Sequence, residues 1–98
     1  MNSQNTEGPM TLFRIFVEDV GKRDELRQII SEKLEAVSVS YGEGFWKGLR
    51  EQNAVIEVYG RESLRGTVTA LAMALKAAFK QQAVGIAEHN DQVSYYEV

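Results

Sequence analysis

The chain has 98 residues, of which 44% are hydrophobic and 26% charged, and its formal net charge is −3 at pH 7. This length accommodates one domain with one core. The absence of cysteine excludes disulfides and cysteine-ligated metals, and a lone histidine, His89, excludes a histidine-rich metal site within one chain. The acidic balance disfavours nucleic-acid binding. Because no apolar run approaches the roughly 20 residues of a membrane span and no signal pattern opens the chain, we expect a cytoplasmic protein.

The beginning of the chain divides into a polar segment and an apolar one. Residues 1–9 lack periodicity and end in Gly-Pro, so we expect a disordered tail followed by a single domain over residues 10–98. Residues 11–17 (TLFRIFV) are rich in β-branched and aromatic side chains on both faces, which predicts a central first strand. Arg14 shares a face with Leu12 and Phe16, so we expect it at a sheet end or paired with a carboxylate.

A helix is predicted over residues 25–34, with Asp24 as its N-cap. Its apolar residues recur at helical spacing and form one stripe: Leu26, Ile29, Ile30 and Leu34. The opposite face carries charged and amide side chains. This pattern predicts an amphipathic helix that packs on a sheet.

The middle of the chain, residues 41–59, has the pattern of a β-hairpin. Alternation over residues 37–41 predicts a second strand, in which Gly42 and Gly44 indicate a bulge or a close backbone approach. Residues 47–53 are polar and predict a turn, and residues 54–59 (AVIEVY) predict the third strand. The two strands are close enough in sequence to pair antiparallel.

The last part of the chain predicts a long helix and two short strands. The helix covers residues 64–80 with Ser63 as its cap, and a fourth strand covers residues 83–87. His89-Asn90-Asp91 predicts a turn, and residues 92–98 (QVSYYEV) alternate as a terminal edge strand.

The order strand, helix, strand, strand, helix, strand predicts an α+β, ferredoxin-like two-layer sandwich with an extra C-terminal edge strand. Both helices then cover one face of an antiparallel sheet. The other face is left uncovered and carries aromatic side chains from several strands. Since an exposed apolar patch usually marks an interface, we expect a homo-oligomer, either a dimer or a trimer.

This layout resembles that of the PII-type signal proteins and the divalent-cation-tolerance proteins, small ferredoxin-like chains that form trimers. The resemblance covers most of residues 10–98 as topology, with Trp46 near the end of the second strand and Glu57 in the third. The chain lacks the His-Pro-Tyr stretch of the cation-tolerance family and the long nucleotide-binding loop of the PII family.

The chain is also similar to small uncharacterised proteins of bacteriophages and other mobile elements. The matching segments are an early Arg-Ile-Phe strand followed by acidic residues, the run from Gly44 to Gly48 with Glu51, the strand 55–58, and Gln82-Ala83-Val84. This resemblance implies an accessory role in a phage or its host.

Aromatic and basic side chains around the hairpin suggest a site for a small anionic or nucleotide-like ligand, because a ring stacks on a base and a guanidinium binds a phosphate. The candidate residues are Tyr41, Trp46, Lys47, Arg50, Glu51 and Arg61. The alternative is that Trp46 packs at a subunit interface and the charges are solvated. The three glycines at positions 42, 44 and 48 resemble a phosphate-binding loop, but no helix follows them, which favours a tight hairpin.

Two further clusters of titratable residues could form a catalytic or metal site, but a structural role explains each of them more simply. His89 with Glu88 and Asp91 resembles a general base, but neighbours in a turn rarely converge on one site. The acidic residues Glu18, Asp19 and Asp24 could hold Mg²⁺, yet a solvated loop with a helix cap accounts for them. We therefore assign no catalytic residue, no metal and no cofactor.

Our interpretation is a small oligomeric binding module that takes a small anionic ligand or a partner protein. The competing interpretation is a small dimeric ferredoxin-like enzyme with a cavity between sheet and helices, working through His89, Arg14 or Glu57. A buried, convergent set of polar groups would distinguish the enzyme from the binding module.

Overall fold

The computed structural model describes residues 9–94. The elements are β1 (Pro9–Glu18), α1 (Arg23–Ser31), β2 (Ser38–Trp46), β3 (Leu49–Gly60), a 3-10 turn (Glu62–Leu64), α2 (Arg65–Ala78) and β4 (Gly85–Ser94). The sheet order is β2-β3-β1-β4, and each neighbouring pair is antiparallel. This order confirms the predicted ferredoxin-like α+β fold and the central position of β1. Residues 1–8 of the predicted tail and 95–98 of the predicted edge strand lie outside the described residues.

The two faces of the sheet differ in chemistry because side chains alternate along each strand. The inward residues of β1 and β3 are buried against α1 and α2, and together they form the core: Phe13, Ile15, Val17, Ala54, Ile56 and Val58, with Leu26, Ile30, Val68, Leu71, Ala72, Leu75 and Phe79. The intervening positions form the other face, which we call the open face. It carries Arg14, Phe16 and Glu18 of β1, the odd-numbered residues of β3 from Leu49 to Tyr59, and the even-numbered residues of β2. Neither helix within residues 9–94 is long and apolar enough to cross a membrane.

The β2–β3 hairpin is tighter than predicted. Lys47 and Gly48 alone form the turn, and both have positive φ, 53° and 80°. Two such residues characterise the two-residue hairpin whose twist matches that of the strands. Residues 50–53, predicted as part of a long turn, are in β3 and pair with β2. Their polar character reflects the position of this hairpin end beyond the core, where both faces meet solvent.

The helix starts also differ from prediction. Asp24 lies in the first turn of α1, which begins at Arg23, and its carboxylate forms an ion pair with Arg27. Ser63 lies inside the 3-10 turn that precedes α2, so it does not cap that helix. Neither helix has a side-chain cap at its N-terminus, because the N-cap positions are Lys22 and Leu64, whose side chains cannot accept a hydrogen bond.

The predicted turn at residues 89–91 is wrong, because β4 is continuous from Gly85 to Ser94. The β1–β4 register shifts there: Leu12 pairs with His89 and Met10 with Val93, so β4 contributes two extra residues. A bulge accommodates the Asn-Asp pair without reversing the chain. The predicted terminal strand therefore begins as a continuation of β4.

Candidate functional site

A groove of about 540 Å³ lies where the ends of β1 and the β2–β3 hairpin meet the segment that follows α2. Its volume falls in the range of about 300–1,000 Å³ that is typical of small-molecule sites. The groove is lined by Phe16, Val17, Glu18, Gly44, Phe45, Trp46, Glu51, Asn53, Gln81, Gln82, Ala83, Val84 and Gly85. Most of the strand residues in this lining belong to the open face. The site is thus built mainly on the side of the sheet that neither α1 nor α2 covers.

The floor of the groove depends on the absence of side chains at two glycines. Asn53 pairs with Gly42 in the β2–β3 register and its amide lies across β2. A β-carbon at Gly44 would come within 2.7 Å of Asn53 Nδ2, whereas one at Gly42 would lie 3.6 Å from Asn53 Oδ1. The register of this pair is regular from Ser38 to Trp46. The glycines therefore permit a close approach, and they do not form a bulge.

Gln81 joins the two sides of the groove. The backbone N–H of Glu18 donates a hydrogen bond of 3.1 Å to Gln81 Oε1, and Gln81 Nε2 donates one of 3.3 Å to the carbonyl of Phe79. The N–H of Asp19 donates to the carbonyl of Gln52 at 2.9 Å. These bonds hold the segment after α2 and the end of β1 against the hairpin, so the groove is a defined feature of the fold.

The lining combines aromatic rings with carboxylates. Trp46 is 49% exposed and Phe16 is 41% exposed, so both rings present area to a ligand. Glu18 and Glu51 line the same groove, and among its described lining residues none is Lys or Arg. Ring faces and carboxylates both attract positive charge. This composition suits a ligand with a flat ring system and a cationic centre.

Of the predicted site residues, the structure brings Trp46 and Glu51 together in the groove. Arg50 is adjacent to Glu51 in β3 and therefore lies on the other face, where its guanidinium is 3.4 Å from a carboxylate oxygen of Glu43. Tyr41 is also on the helix side of the sheet, with the guanidinium carbon of Arg23 3.7 Å from its ring centroid.

The remaining predicted basic residues lie apart from one another. Lys47 is in the hairpin turn, with its ammonium 5.7 Å from the centroid of the Trp46 ring. Arg61 follows β3 at its opposite end. Arg61 is 11 positions after Arg50, so the extended backbone between them spans up to about 36 Å at 3.3 Å per residue. The structure therefore does not bring Lys47, Arg50 and Arg61 into one site within the chain.

Arg14 and Glu57 are directly opposite each other on β1 and β3. Arg14 Nε donates a hydrogen bond to Glu57 Oε2 at 2.5 Å, which confirms that Arg14 is paired with a carboxylate. Both groups are on the open face. The prediction that Arg14 and Glu57 lie in a cavity between the sheet and the helices is therefore wrong, because apolar side chains fill that space. The exposed His89, paired with Leu12, lies on the open face as well.

The acidic residues at and after the end of β1 contact different groups. Asp19 accepts hydrogen bonds from the N–H of Gly21 and from the Arg23 guanidinium, and these bonds, the first above all, lower the pKa of its carboxyl. Asp24 pairs with Arg27, while Glu18 lines the groove. Within residues 9–94, no three His, Asp or Glu side chains are placed to hold a metal ion.

Glu88, the neighbour of His89, is bound to α2. Arg65 donates two hydrogen bonds of 2.8 Å to its carboxylate, which lower the pKa of Glu88 and raise the pKa of Arg65. Glu88 pairs with Phe13 on the helix side of the sheet, whereas His89 is on the open face. These two residues therefore do not form a general-base pair.

Several groove residues were missed by sequence reasoning. Phe16 and Glu18 alternate with the buried residues of β1, which was a usable sign that they lie on the open face. Asn53 was assigned to a turn, so its direction was undefined. Gln81 gave no signal, because its role depends on contacts with β1 that are 63 residues away in sequence.

The fold is similar to several solved structures, although no family model and no curated protein matches the sequence. A phage SAM lyase in the apo state has a TM-score of 0.65 and 22% identity, covering 99% of this chain and 98% of its own. CutA1 from Oryza sativa, a divalent-cation-tolerance protein, has a TM-score of 0.54 and 21% identity, covering 92% and 86%. A de novo designed protein, Foldit4, has a TM-score of 0.52 and 16% identity, covering 86% and 98%.

The predicted resemblances to phage proteins and to the divalent-cation-tolerance proteins are thus confirmed as similarities of fold. All of these identities are below 25%, so they establish the architecture alone. A shared fold hosts many functions, and the chemistry has to be argued from the site.

Proposed function

We propose that this chain binds S-adenosylmethionine (SAM) in the groove and cleaves it as a lyase. The observation that carries the proposal is the lining of the groove, in which Trp46 and Phe16 accompany the carboxylates of Glu18 and Glu51. SAM has a flat adenine and a sulfonium centre with a permanent positive charge. Adenine stacks on aromatic rings, and the sulfonium is attracted by ring faces and carboxylates. The ligand and the groove are therefore complementary in aromatic character and in charge.

The similarity of fold supports the choice of this ligand. The structure that is named as a phage SAM lyase aligns with this chain over nearly the full length of both. An accessory role in a phage or its host is consistent with that similarity and remains part of the proposal. The proposal replaces the anionic ligand predicted from sequence, because that prediction depended on Lys47, Arg50 and Arg61 acting together.

The charge of the groove also accounts for product release. In the lyase reaction an oxygen of the ligand's own carboxylate forms a bond to the carbon as the C–S bond breaks, the bonding electron pair stays on sulfur, and the products are a lactone and a neutral thioether. Glu18 and Glu51 attract the sulfonium but not the thioether, so affinity falls when the bond breaks. At about 5 Å and an effective dielectric constant of about 40, one carboxylate attracts a unit positive charge by about 1.7 kcal/mol. This energy corresponds to about 18-fold in affinity.

The test is to incubate the purified protein with SAM and to measure SAM loss and thioether formation by liquid chromatography and mass spectrometry. Glu51→Gln should reduce kcat/KM for SAM about tenfold or more, since it removes one groove carboxylate. Glu43→Gln is the matched control, because Glu43 lies on the same hairpin but on the helix side. It should change the rate less than twofold.

Two other outcomes would decide against the lyase. Quenching of Trp46 fluorescence by SAM without any SAM loss would leave the binding module as the function. Neither binding nor loss of SAM would refute the whole proposal. Trp46 is the only tryptophan of the chain, so its fluorescence reports the groove directly.

We include a homo-oligomer in this proposal. The hairpin tip exposes Phe45 and Leu49 by 73% and 74%, and apolar side chains so exposed favour association. Native mass spectrometry at micromolar concentration should detect a dimer or trimer, and Leu49→Asp should shift it toward monomer. A wild-type protein that is entirely monomeric would refute this part of the proposal and leave the groove unaffected.

A further inference from the structure

The Arg14–Glu57 pair is placed on two central strands yet remains open to solvent. Its side chains are 41% and 35% exposed, and the two strands that flank it continue the sheet on both sides. An ion pair this exposed contributes little to stability, because solvent screens it and ordering the two side chains costs entropy. Stability alone therefore gives little reason for two opposite charges at this position of the open face.

The guanidinium of Arg14 has unused hydrogen-bonding capacity. Glu57 binds Nε, and within the part of the chain that the structure describes this is the single hydrogen bond of the Arg14 side chain. Neither terminal amino group donates to another described residue. A guanidinium with two free donors is suited to bind a carboxylate with two oxygens. Glu57 Oε1 likewise has no partner among the described residues, and it can accept a hydrogen bond from a cation.

The pair lies one step along the open face from the groove. Arg14 is two residues before Phe16 in β1, which places the two side chains on the same face about 6.6 Å apart. Phe16 lines the groove, and the residues beside it on β3 and β2 are the short Val55 and Ser40. A ligand that fills the groove can therefore extend past Phe16 to the pair.

The chemistry of the pair selects a zwitterion. A simple anion attracted by Arg14 is repelled by Glu57, and a simple cation attracted by Glu57 is repelled by Arg14. A group that carries a carboxylate and an ammonium side by side satisfies both. The α-amino-acid end of SAM is such a group.

We propose that Arg14 and Glu57 form the subsite for the α-amino-acid end of the ligand, with Arg14 binding its carboxylate and Glu57 its ammonium. This inference rests on the proposed function, since it assigns the groove to the adenosyl end of the same molecule. It makes Arg14 and Glu57 specificity-determining residues and separates them from the aromatic half of the site.

The experiment compares SAM with two smaller ligands. Decarboxylated SAM lacks the carboxylate, and 5′-methylthioadenosine lacks the carboxylate, the ammonium and the sulfonium charge. Binding is followed by stopped-flow quenching of Trp46 fluorescence, before turnover. Wild-type protein should bind SAM roughly 10- to 100-fold more tightly than decarboxylated SAM, as expected for charge-assisted hydrogen bonds. Arg14→Met should abolish this preference. Glu57→Gln should weaken both aminated ligands and leave 5′-methylthioadenosine unchanged.

A merely structural role predicts a different pattern, in which either substitution weakens all three ligands by the same factor. That pattern, or equal affinity of wild-type protein for SAM and decarboxylated SAM, overturns the inference. Binding of 5′-methylthioadenosine in either case leaves the proposed groove intact. Failure of all three ligands to bind wild-type protein refutes the proposed function and the inference with it. Urea denaturation of each variant confirms that it is folded.

Discussion

Replacement of Gly44 and Gly42 by alanine tests the close approach that forms the groove floor. The two glycines are on the same face of β2, and Asn53 lies over both. The new methyl group would be 2.7 Å from the Asn53 amide nitrogen at position 44, but 3.6 Å from its oxygen at position 42. The first distance requires Asn53 to move, whereas the second is an ordinary contact.

The magnitude follows from two opposing effects. Neither glycine has the positive φ that would strain an alanine, so both substitutions stabilise by about 0.4–1 kcal/mol through the unfolded chain. Gly44→Ala also forces the Asn53 side chain away from its rotamer, at a cost of about 0.5–1.5 kcal/mol. We therefore expect Gly42→Ala to be more stable than Gly44→Ala by about 1 kcal/mol, or about 4–8 °C in Tm for a domain of this size.

Thermal denaturation followed by circular dichroism measures this difference. Asn53→Ala supplies the internal control: in that background the obstacle is gone, and Gly44→Ala should stabilise as much as Gly42→Ala. Equal stability of the two single variants, or a higher Tm for Gly44→Ala, would show that Asn53 does not lie over β2 as described. A difference that persists in the Asn53→Ala background would assign the effect to another contact.

Three further predictions concern the fold. Gly48→Ala should destabilise by about 1 kcal/mol, because φ is +80°, a conformation that strains an alanine. No atom lies within 4 Å of the new methyl group, so this strain is the main effect, and urea denaturation measures it. The pKa of Asp19 is lowered in the folded state, so the ionised carboxylate contributes to the stability of the fold above about pH 4, and this contribution is lost as the pH falls through the folded pKa. Asp19→Asn should therefore flatten the acid side of a curve of Tm against pH. An unchanged curve would contradict the lowered pKa. Leu71→Ala in the core should cost about 2–5 kcal/mol by urea denaturation, whereas Met73→Ala, exposed on the same helix, should change stability by less than about 0.5 kcal/mol.

The site was only partly predictable from the sequence. Trp46 and Glu51 were identified because both belong to one end of the predicted hairpin, and residues that close in sequence stay close in a hairpin. Arg50 was grouped with them for the same reason. The pairing of β2 with β3 separates Arg50 from Glu51, since adjacent strand residues lie on opposite faces.

The errors in element boundaries have a related cause. Residues 50–53 and 89–91 are polar and contain turn-forming types, so local propensity favours loops. Both segments extend strands, because hydrogen bonds to a neighbouring strand outweigh that propensity. The partners of residues 50–53 in β2 are 5 to 11 residues earlier in the chain, whereas the partner of His89 is Leu12, 77 residues earlier.

What the sequence by itself determined is the order of β1, α1, β2, β3, α2 and β4 along the chain and the apolar stripe of each helix. These properties follow from the spacing of apolar residues, which is local and is dictated by the geometry of the backbone. Only the tertiary structure decided which faces meet: it placed Phe16, Asn53 and Gln81 around one groove and paired Arg14 with Glu57. The physical reason is that strand register and the side-chain contacts between distant segments are set by long-range pairing, and no single segment carries that information.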